Sequence, residues 1–119
     1  PPGWHGWLLR GALTATAVVV FAEAVLAGQF MSGVYPALAI HRELSTVAFV
    51  AAAIAVVAAL LKRRTDPGWG PFWATVGLLV LVTGQTLAGY MAIIWLHVPL
   101  AVALTVISIG LAIWSWWQR

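Results

Sequence analysis

The chain has 119 residues, of which 63% are hydrophobic and only 8% are charged. A soluble domain carries about 25% charged residues, so this composition is typical of a chain whose surroundings are mostly lipid. The sequence contains no cysteine, which excludes disulfides, thiolate metal sites and cysteine nucleophiles. The net charge of +3 arises from six basic and three acidic residues, and such a small set does not indicate nucleic-acid binding.

Four apolar segments follow one another along the chain. A helix needs about 20 predominantly apolar residues to span a bilayer, and in lipid each segment must satisfy its own backbone polar groups. The qualifying segments run approximately from Trp7 to Gly33, from Pro36 to Leu61, from Pro71 to Met91 and from Trp95 to Trp117. The sequence therefore predicts an all-α membrane protein, in which residues 1–119 form one antiparallel bundle of four transmembrane helices.

Basic residues predict the orientation of these spans. The loop between the second and third spans carries Lys62, Arg63 and Arg64, and Arg10 and Arg119 lie near the two termini. With four spans, all three regions share one side, and an excess of lysine and arginine marks the cytoplasmic side. We therefore expect both termini to be cytoplasmic, in a membrane of the prokaryotic inner or plasma type. Tryptophans would form an aromatic belt on that side: Trp4, Trp7, Trp69, Trp73, Trp114, Trp116 and Trp117.

A spaced pattern occurs twice in the chain. GQFMSGVYPALAIH, residues 28–41, is followed by GQTLAGYMAIIWLH, residues 84–97, in the same register. The repeat predicts two duplicated helix hairpins, approximately residues 7–61 and 71–117, related by an axis along the membrane normal. Close helix packing would explain the repeated glycines without any chemistry. Glutamine and histidine are uncommon inside apolar spans, however, and their recurrence in register favours a functional site.

The two repeated histidines are candidate metal ligands. His41 is expected to open the second helix and His97 the fourth, both toward the outer side of the membrane. In helix bundles, cofactor sites form from inward side chains on facing helices, and histidine is a standard axial ligand of haem iron. The positive end of a helix dipole also disfavours the imidazolium form, and a ligand must be neutral. We therefore predict a haem with His41 and His97 as its two iron ligands, the alternative being two histidines that face lipid headgroups.

Further residues of the repeat suit such a cofactor. Arg42 can pair with a haem propionate or, alternatively, with a lipid phosphate. Gln29 and Gly33 are spaced to share one helical face, and Gln85 and Gly89 repeat this spacing. A glycine lets a flat macrocycle approach the backbone, and a glutamine can hydrogen-bond to an axial imidazole or a propionate.

The pattern GQxxxG, a short outer connection and His-Arg opening the next helix resembles the haem A synthase family. That family's fold is two fused four-helix bundles, each with paired histidines on its second and fourth helices. The matching residues here are Gln29, Gly33, His41 and Arg42 in the first hairpin, and Gln85, Gly89 and His97 in the second. The resemblance covers nearly the whole chain as one half-sized unit. A homodimer would rebuild an eight-helix arrangement.

One departure from that family bears on activity. Its catalytic half is expected to carry a glutamate one turn before the histidine of the second helix, and this chain has Leu38 there. The resemblance therefore implies a unit that holds haem b and transfers electrons, rather than one that oxidises haem. It leaves enzymatic activity open. For one-electron transfer, we expect a quinol, a quinone or another redox protein as the partner.

Glu23 supports rival hypotheses. It is the one carboxylate well inside a predicted span, where insertion costs roughly 2.5 to 3.5 kcal/mol, so we expect it to face the bundle or to be protonated. It can carry protons, contact a haem substituent or a quinone, or bond a neighbouring helix. Four spans with one glutamate in the first also resemble, in outline, the small multidrug resistance transporters, which exchange protons for a cationic substrate. A cofactor-free accessory subunit of a respiratory complex is a third hypothesis.

Overall fold

The structure is a computed structural model that describes residues 2–118. Its four helices are α1 (Trp4–Met31), α2 (Ala37–Lys62), α3 (Gly70–Tyr90) and α4 (Ile94–Trp117). Each is long and apolar enough to cross a membrane. The all-α, four-span prediction is confirmed. The largest difference in boundaries is at the start of α1, which begins about one turn before the predicted span.

The helices pack as a closed ring of four. The packed pairs are α1 with α2, α2 with α3, α3 with α4, and α1 with α4, whereas the diagonal pairs make no backbone approach within the described residues. Every packed pair is antiparallel. At one end of the bundle, here called the termini end, lie the start of α1, the α2–α3 loop and the end of α4. At the opposite end, here called the hairpin end, lie the α1–α2 and α3–α4 turns. The predicted antiparallel bundle is confirmed.

The bundle is built with small residues inside and large apolar residues outside. Most of its buried apolar side chains are alanines, and α2 contributes Ala48, Ala51, Ala52, Ala55, Ala58 and Ala59. Small side chains let helix backbones approach closely, which is how helices associate in lipid. Many valines, isoleucines and phenylalanines are instead exposed, as expected for side chains that face lipid tails.

The hairpin end has almost no apolar core. In the described chain, α1 has no buried residue after Val20, and α4 has none before Leu104. On α2 and α3, the buried apolar residues nearer the hairpin end than Ala48 and Val82 are Ala37 and Ala88. The helices are therefore packed tightly from the termini end to the middle and leave space between them toward the hairpin end.

Arg10 fastens α1 to α4 at the termini end. Its Nε donates a hydrogen bond to the carbonyl of Ser115 at 2.9 Å, and its Nη2 donates to the carbonyl of Gln118. Its guanidinium carbon lies 5.0 Å from the centre of the Trp7 ring and 5.3 Å from that of Trp116. A buried cation therefore satisfies the last carbonyls of α4, where the helix dipole favours positive charge.

The α2–α3 loop carries an exposed ion pair. Nζ of Lys62 lies 3.0 Å from Oδ2 of Asp66, and this hydrogen bond with its charge lowers the pKa of Asp66 below the usual value. The guanidinium of Arg63 stacks 3.3 Å from the centre of the Trp69 ring. The predicted basic loop thus meets part of the predicted tryptophan belt.

Candidate functional site

The turn after α1 is closed by a glycine in a left-handed conformation. The N–H of Val34 donates to the carbonyl of Gln29 at 2.9 Å, and the N–H of Gly33 donates to that of Phe30 at 3.0 Å. Gly33 has φ +99°. These two bonds form a Schellman motif. The motif ends a helix with a residue in the left-handed backbone conformation, which glycine adopts without strain. Gly33 therefore lies beyond α1 and turns the chain toward α2.

The turn after α3 uses the same motif at a shifted position. The N–H of Ile93 donates to the carbonyl of Ala88 at 2.9 Å, and the N–H of Ala92 donates to that of Gly89 at 3.0 Å, with Ala92 at φ 57°. Gly89, which matches Gly33 in the repeat, thus lies inside α3. A Cβ on Gly89 would stand 2.8 Å from Cε1 of His97. The two matched glycines therefore have different roles: Gly33 ends a helix, and Gly89 makes room for an imidazole.

The two histidines meet inside the bundle. His41 lies in the second turn of α2 and His97 in the first turn of α4, on diagonally opposite helices near the hairpin end. Their ring centres are 6.4 Å apart, and the ring planes are inclined at 87°. The structure therefore brings the two predicted ligands close together, with their ring planes nearly perpendicular, across the open half of the bundle.

Each imidazole is held by a backbone carbonyl of the preceding helix. Nδ1 of His41 lies 2.9 Å from the carbonyl oxygen of Glu23, and Nδ1 of His97 lies 3.0 Å from that of Gln85. A carbonyl only accepts hydrogen bonds, so each Nδ1 carries the proton. In the neutral form of the ring, Nε2 is then the nitrogen with a lone pair available to a metal. Metal-binding histidines have this arrangement, in which the second nitrogen donates to a fixed acceptor.

Glu23 and Gln85 complete a layer with one polar residue from each helix. Because their carbonyls bind the two histidines, Glu23 on α1, His41 on α2, Gln85 on α3 and His97 on α4 lie at one level, here called the polar layer. The Oε1 atoms of Glu23 and Gln85 are buried and have no hydrogen-bond partner among the described residues. All four residues line a cavity of about 230 Å³.

The other predicted site residues lie at different distances from this cavity. Leu38 and Arg42 line it, and the guanidinium carbon of Arg42 lies 5.9 Å from the centre of the Tyr90 ring. Gln29 is exposed and does not line it, whereas its repeat partner Gln85 is buried. The structure thus brings together His41, His97, Gln85, Gly89, Arg42 and Glu23, and it leaves Gln29 and Gly33 outside.

Part of the cavity wall was missed by the sequence analysis. Ala27, Phe30 and Met31 line the cavity on α1. They follow Glu23 at spacings of four, seven and eight residues, which place them on one helical face. This spacing could have placed the three residues beside Glu23. Because apolar residues also occupy the other faces of α1 around Glu23, the spacing did not single them out.

The donor set of the cavity suits a metal that brings other ligands with it. No group of three or more histidine, cysteine, aspartate or glutamate side chains within residues 2–118 is placed to hold a metal ion. The polar layer offers two imidazole nitrogens on opposite sides, which is the ligand set for the two axial positions of a haem iron.

Known proteins do not assign this site. No protein-family model, curated protein or solved structure matches the chain. The function therefore has to be argued from the geometry of the polar layer, and the resemblance to the haem A synthase family stays a prediction.

Proposed function

We propose that the protein is a membrane haem protein in which His41 and His97 are the two axial iron ligands. The observation that carries the proposal is the separation of the two rings, whose centres are 6.4 Å apart. Two metal–imidazole bonds of about 2 Å, together with the radii of the two rings, give roughly 6 Å between ring centres. The hydrogen bonds at both Nδ1 atoms support the proposal, because they leave both Nε2 atoms available.

The cavity sets how a macrocycle would lie. A haem held by His41 and His97 would occupy this cavity, beside the residues of α1 and α3 that line it. The cavity of about 230 Å³ is smaller than the ~300–1,000 Å³ of most ligand pockets. The edges of a macrocycle would therefore lie between neighbouring helices, which the missing apolar core of the hairpin end allows. Arg42 at the rim would pair with a propionate.

The protein's own residues would tune and protect this site. The carbonyls of Glu23 and Gln85 hold the imidazole rings and raise their basicity. When bound, haem supplies one-electron chemistry. Leu38 provides no carboxylate one turn before His41, so in this proposal the site holds haem rather than oxidising it. The proposed haem is therefore of the b type. The protein thus acts as a cytochrome-like electron carrier.

The setting of the proposed function follows the basic residues. The termini end faces the cytoplasm of a prokaryotic-type inner or plasma membrane, because Lys62, Arg63 and Arg64 lie there. The haem then lies in the outer half of the bilayer. A quinol, a quinone or another redox protein exchanges electrons with it, and a homodimer is the proposed assembly.

Absorption spectra of the purified protein test the proposal directly. Oxidised and reduced samples are expected to show a low-spin haem spectrum, either as purified or after addition of haem. His41→Ala and His97→Ala should each abolish it. The matched control is His5→Ala, since His5 lies at the termini end, far from the polar layer. A colourless protein that takes up no haem would refute the proposal, as would a spectrum that survives both substitutions.

A proton-coupled transporter is the alternative that one observation favours. Glu23 lines the cavity as a substrate-exchanging acid would, and its buried Oε1 has no hydrogen-bond partner among the described residues. This alternative predicts proton-coupled uptake of a cation in proteoliposomes that is lost in Glu23→Gln. If the unsubstituted protein shows a haem spectrum but no proton-coupled uptake, the transporter alternative is refuted.

A further inference from the structure

A second cavity lies at the termini end of the bundle, here called the termini cavity. Its volume is about 280 Å³, and its wall comes from the start of α1, the end of α2 with the loop that follows it, and the end of α4. None of the described residues that line it also lines the cavity of the polar layer. A ligand of the termini cavity is therefore independent of the proposed haem.

Arg10 brings a buried positive charge to the termini cavity. The residue is only 9% exposed. Its Nε donates to the carbonyl of Ser115 and its Nη2 to that of Gln118. A guanidinium carries five N–H groups, so three of them have no acceptor within residues 2–118. Guanidinium groups form strong, directional hydrogen bonds with phosphate oxygens, so an anion of this kind complements the remaining donors.

Lys62 adds a second cation to the same wall, next to Asp66. Nζ of Lys62 lies 3.0 Å from Oδ2 of Asp66, which uses one of the three donors of the ammonium group. Arg10 and Lys62 are cationic and Asp66 is anionic, so these lining side chains leave one positive charge uncompensated. The negative features of the wall already have partners, since Asp66 binds Lys62 and the carbonyls at the end of α4 bind Arg10.

The start of α1 also favours an anion in the termini cavity. Its N-cap residue is Gly3, which has no side chain to accept hydrogen bonds, and its first turn contains no acidic residue. Gly3, His5 and Gly6 line the cavity. The first N–H groups of a helix lack intrahelical partners, and the helix dipole gives them partial positive charge. This end of α1 therefore acts with the two cationic side chains on the same anion.

We propose that the termini cavity binds a phosphate group, which accepts hydrogen bonds from the Arg10 guanidinium, the Lys62 ammonium and the first N–H groups of α1. The location suits a phosphate at the membrane surface. Trp114 lines the cavity, and Trp7 and Trp116 flank Arg10, whereas tryptophans in membrane proteins concentrate at the level of the lipid head groups. Basic pockets between transmembrane helices bind phosphate head groups of lipids, and a soluble phosphate offers the same oxygens.

Phosphorus NMR of inorganic phosphate, titrated with the purified protein in an uncharged detergent, tests the site. Binding is expected to be saturable and to weaken by about five-fold or more in Lys62→Gln. Asp66→Asn removes the carboxylate that competes for the ammonium and should strengthen binding by about three-fold. Substitution of Arg10 would also release the carbonyls of α4, so Lys62 and Asp66, whose side chains are 21% and 64% exposed, are the informative positions.

The matched control is Arg64→Gln, which changes the charge of the same loop by the same amount as Lys62→Gln but at an exposed residue that does not line the cavity. It should leave affinity within about two-fold, because solvent and salt screen its charge. If Lys62→Gln and Arg64→Gln weaken binding equally, attraction to the basic loop explains it and the site is refuted.

The same titration with dioctanoyl phosphatidylglycerol distinguishes the two sources of the phosphate. Tighter binding of this lipid than of inorganic phosphate, with the same dependence on Lys62 and Asp66, would identify the ligand as a lipid head group. Dependence on both residues for inorganic phosphate alone would identify a soluble anion. Binding of both ligands that ignores Lys62 and Asp66, or that does not saturate, would overturn the proposal.

Discussion

Gly89→Ala tests whether the His97 ring is held in place by the backbone of α3. The added Cβ would stand 2.8 Å from Cε1 and 3.2 Å from Nδ1 of His97. Carbon atoms pack at about 3.5 to 4.0 Å, so the ring has to move by roughly 0.7 Å or more. Its hydrogen bond to the carbonyl of Gln85, now 3.0 Å long, would then lengthen toward the ~3.5 Å limit at which such bonds fail.

The magnitude follows from three opposing effects. Alanine in place of an interior helical glycine stabilises a helix by ~1 kcal/mol. Loss of the hydrogen bond costs ~1 kcal/mol, and forcing an extra carbon into packed surroundings costs about 1 to 3 kcal/mol. Gly89→Ala should therefore destabilise the bundle by about 1 to 3 kcal/mol. Gly84→Ala on the same helix should stabilise it slightly, because a Cβ there meets none of the described atoms within 4 Å.

Unfolding in mixed micelles of increasing dodecyl sulfate content, followed by circular dichroism, measures this difference. In the haem-loaded protein, Gly89→Ala should also weaken haem binding by about 10- to 100-fold, the usual effect of disturbing a residue that positions a metal ligand. The double variant Gly89→Ala/His97→Ala isolates the contact, since without the ring the added methyl has space and its penalty should vanish. If Gly89→Ala matches Gly84→Ala in both stability and haem affinity, the reasoning is refuted.

Three further substitutions, with Gly28→Ala as a control for one of them, probe the helix ends and the α2–α3 loop in the same unfolding assay. Arg10→Met should destabilise the bundle by about 2 to 3 kcal/mol, because it leaves the last carbonyls of α4 without their donors; an unchanged midpoint would contradict this capping role. Gly33→Ala should cost about 1 to 2 kcal/mol because of its positive φ, whereas Gly28→Ala inside α1 should not destabilise the bundle. The lowered pKa of Asp66 predicts a small stabilisation that is present above the ordinary aspartate value of about 3.9 and is lost as the pH falls through the folded-state value. Asp66→Asn should remove this pH dependence, and salt should weaken it, since the pair with Lys62 is exposed.

The fold could be predicted from the sequence because lipid leaves few choices. Four long apolar runs must be helices in a bilayer, and short connections make consecutive helices antiparallel. The position of Arg10 could not be predicted in the same way. It was assigned to the cytoplasmic side as one of several basic residues, but the structure buries it against Ser115 and Gln118. The distribution of lysine and arginine predicts the side of the membrane on which an arginine lies. It does not predict whether the arginine is buried and donates hydrogen bonds to the carbonyls of another helix.

The repeat predicted which residues belong to the site better than it predicted what each of them does. The offset of the two hairpins places His41 and His97 on diagonal helices, and they do meet. It also equates Gly33 with Gly89 and Gln29 with Gln85, and there the halves differ.

The reason is local: α1 ends at the repeated glycine, whereas α3 runs on by about three residues before its own Schellman turn at Ala92. That extension keeps Gly89 inside a helix beside His97, while Gly33 becomes part of a turn. Gln29 and Gln85 both lie in helices, but Gln29 faces outward and Gln85 is buried. The first half compensates with Glu23, whose carbonyl holds His41 from a position six residues earlier in the repeat than Gln85. The two half-sites therefore hold equivalent imidazoles through different residues, and this difference leaves a carboxyl on only one edge of the cavity.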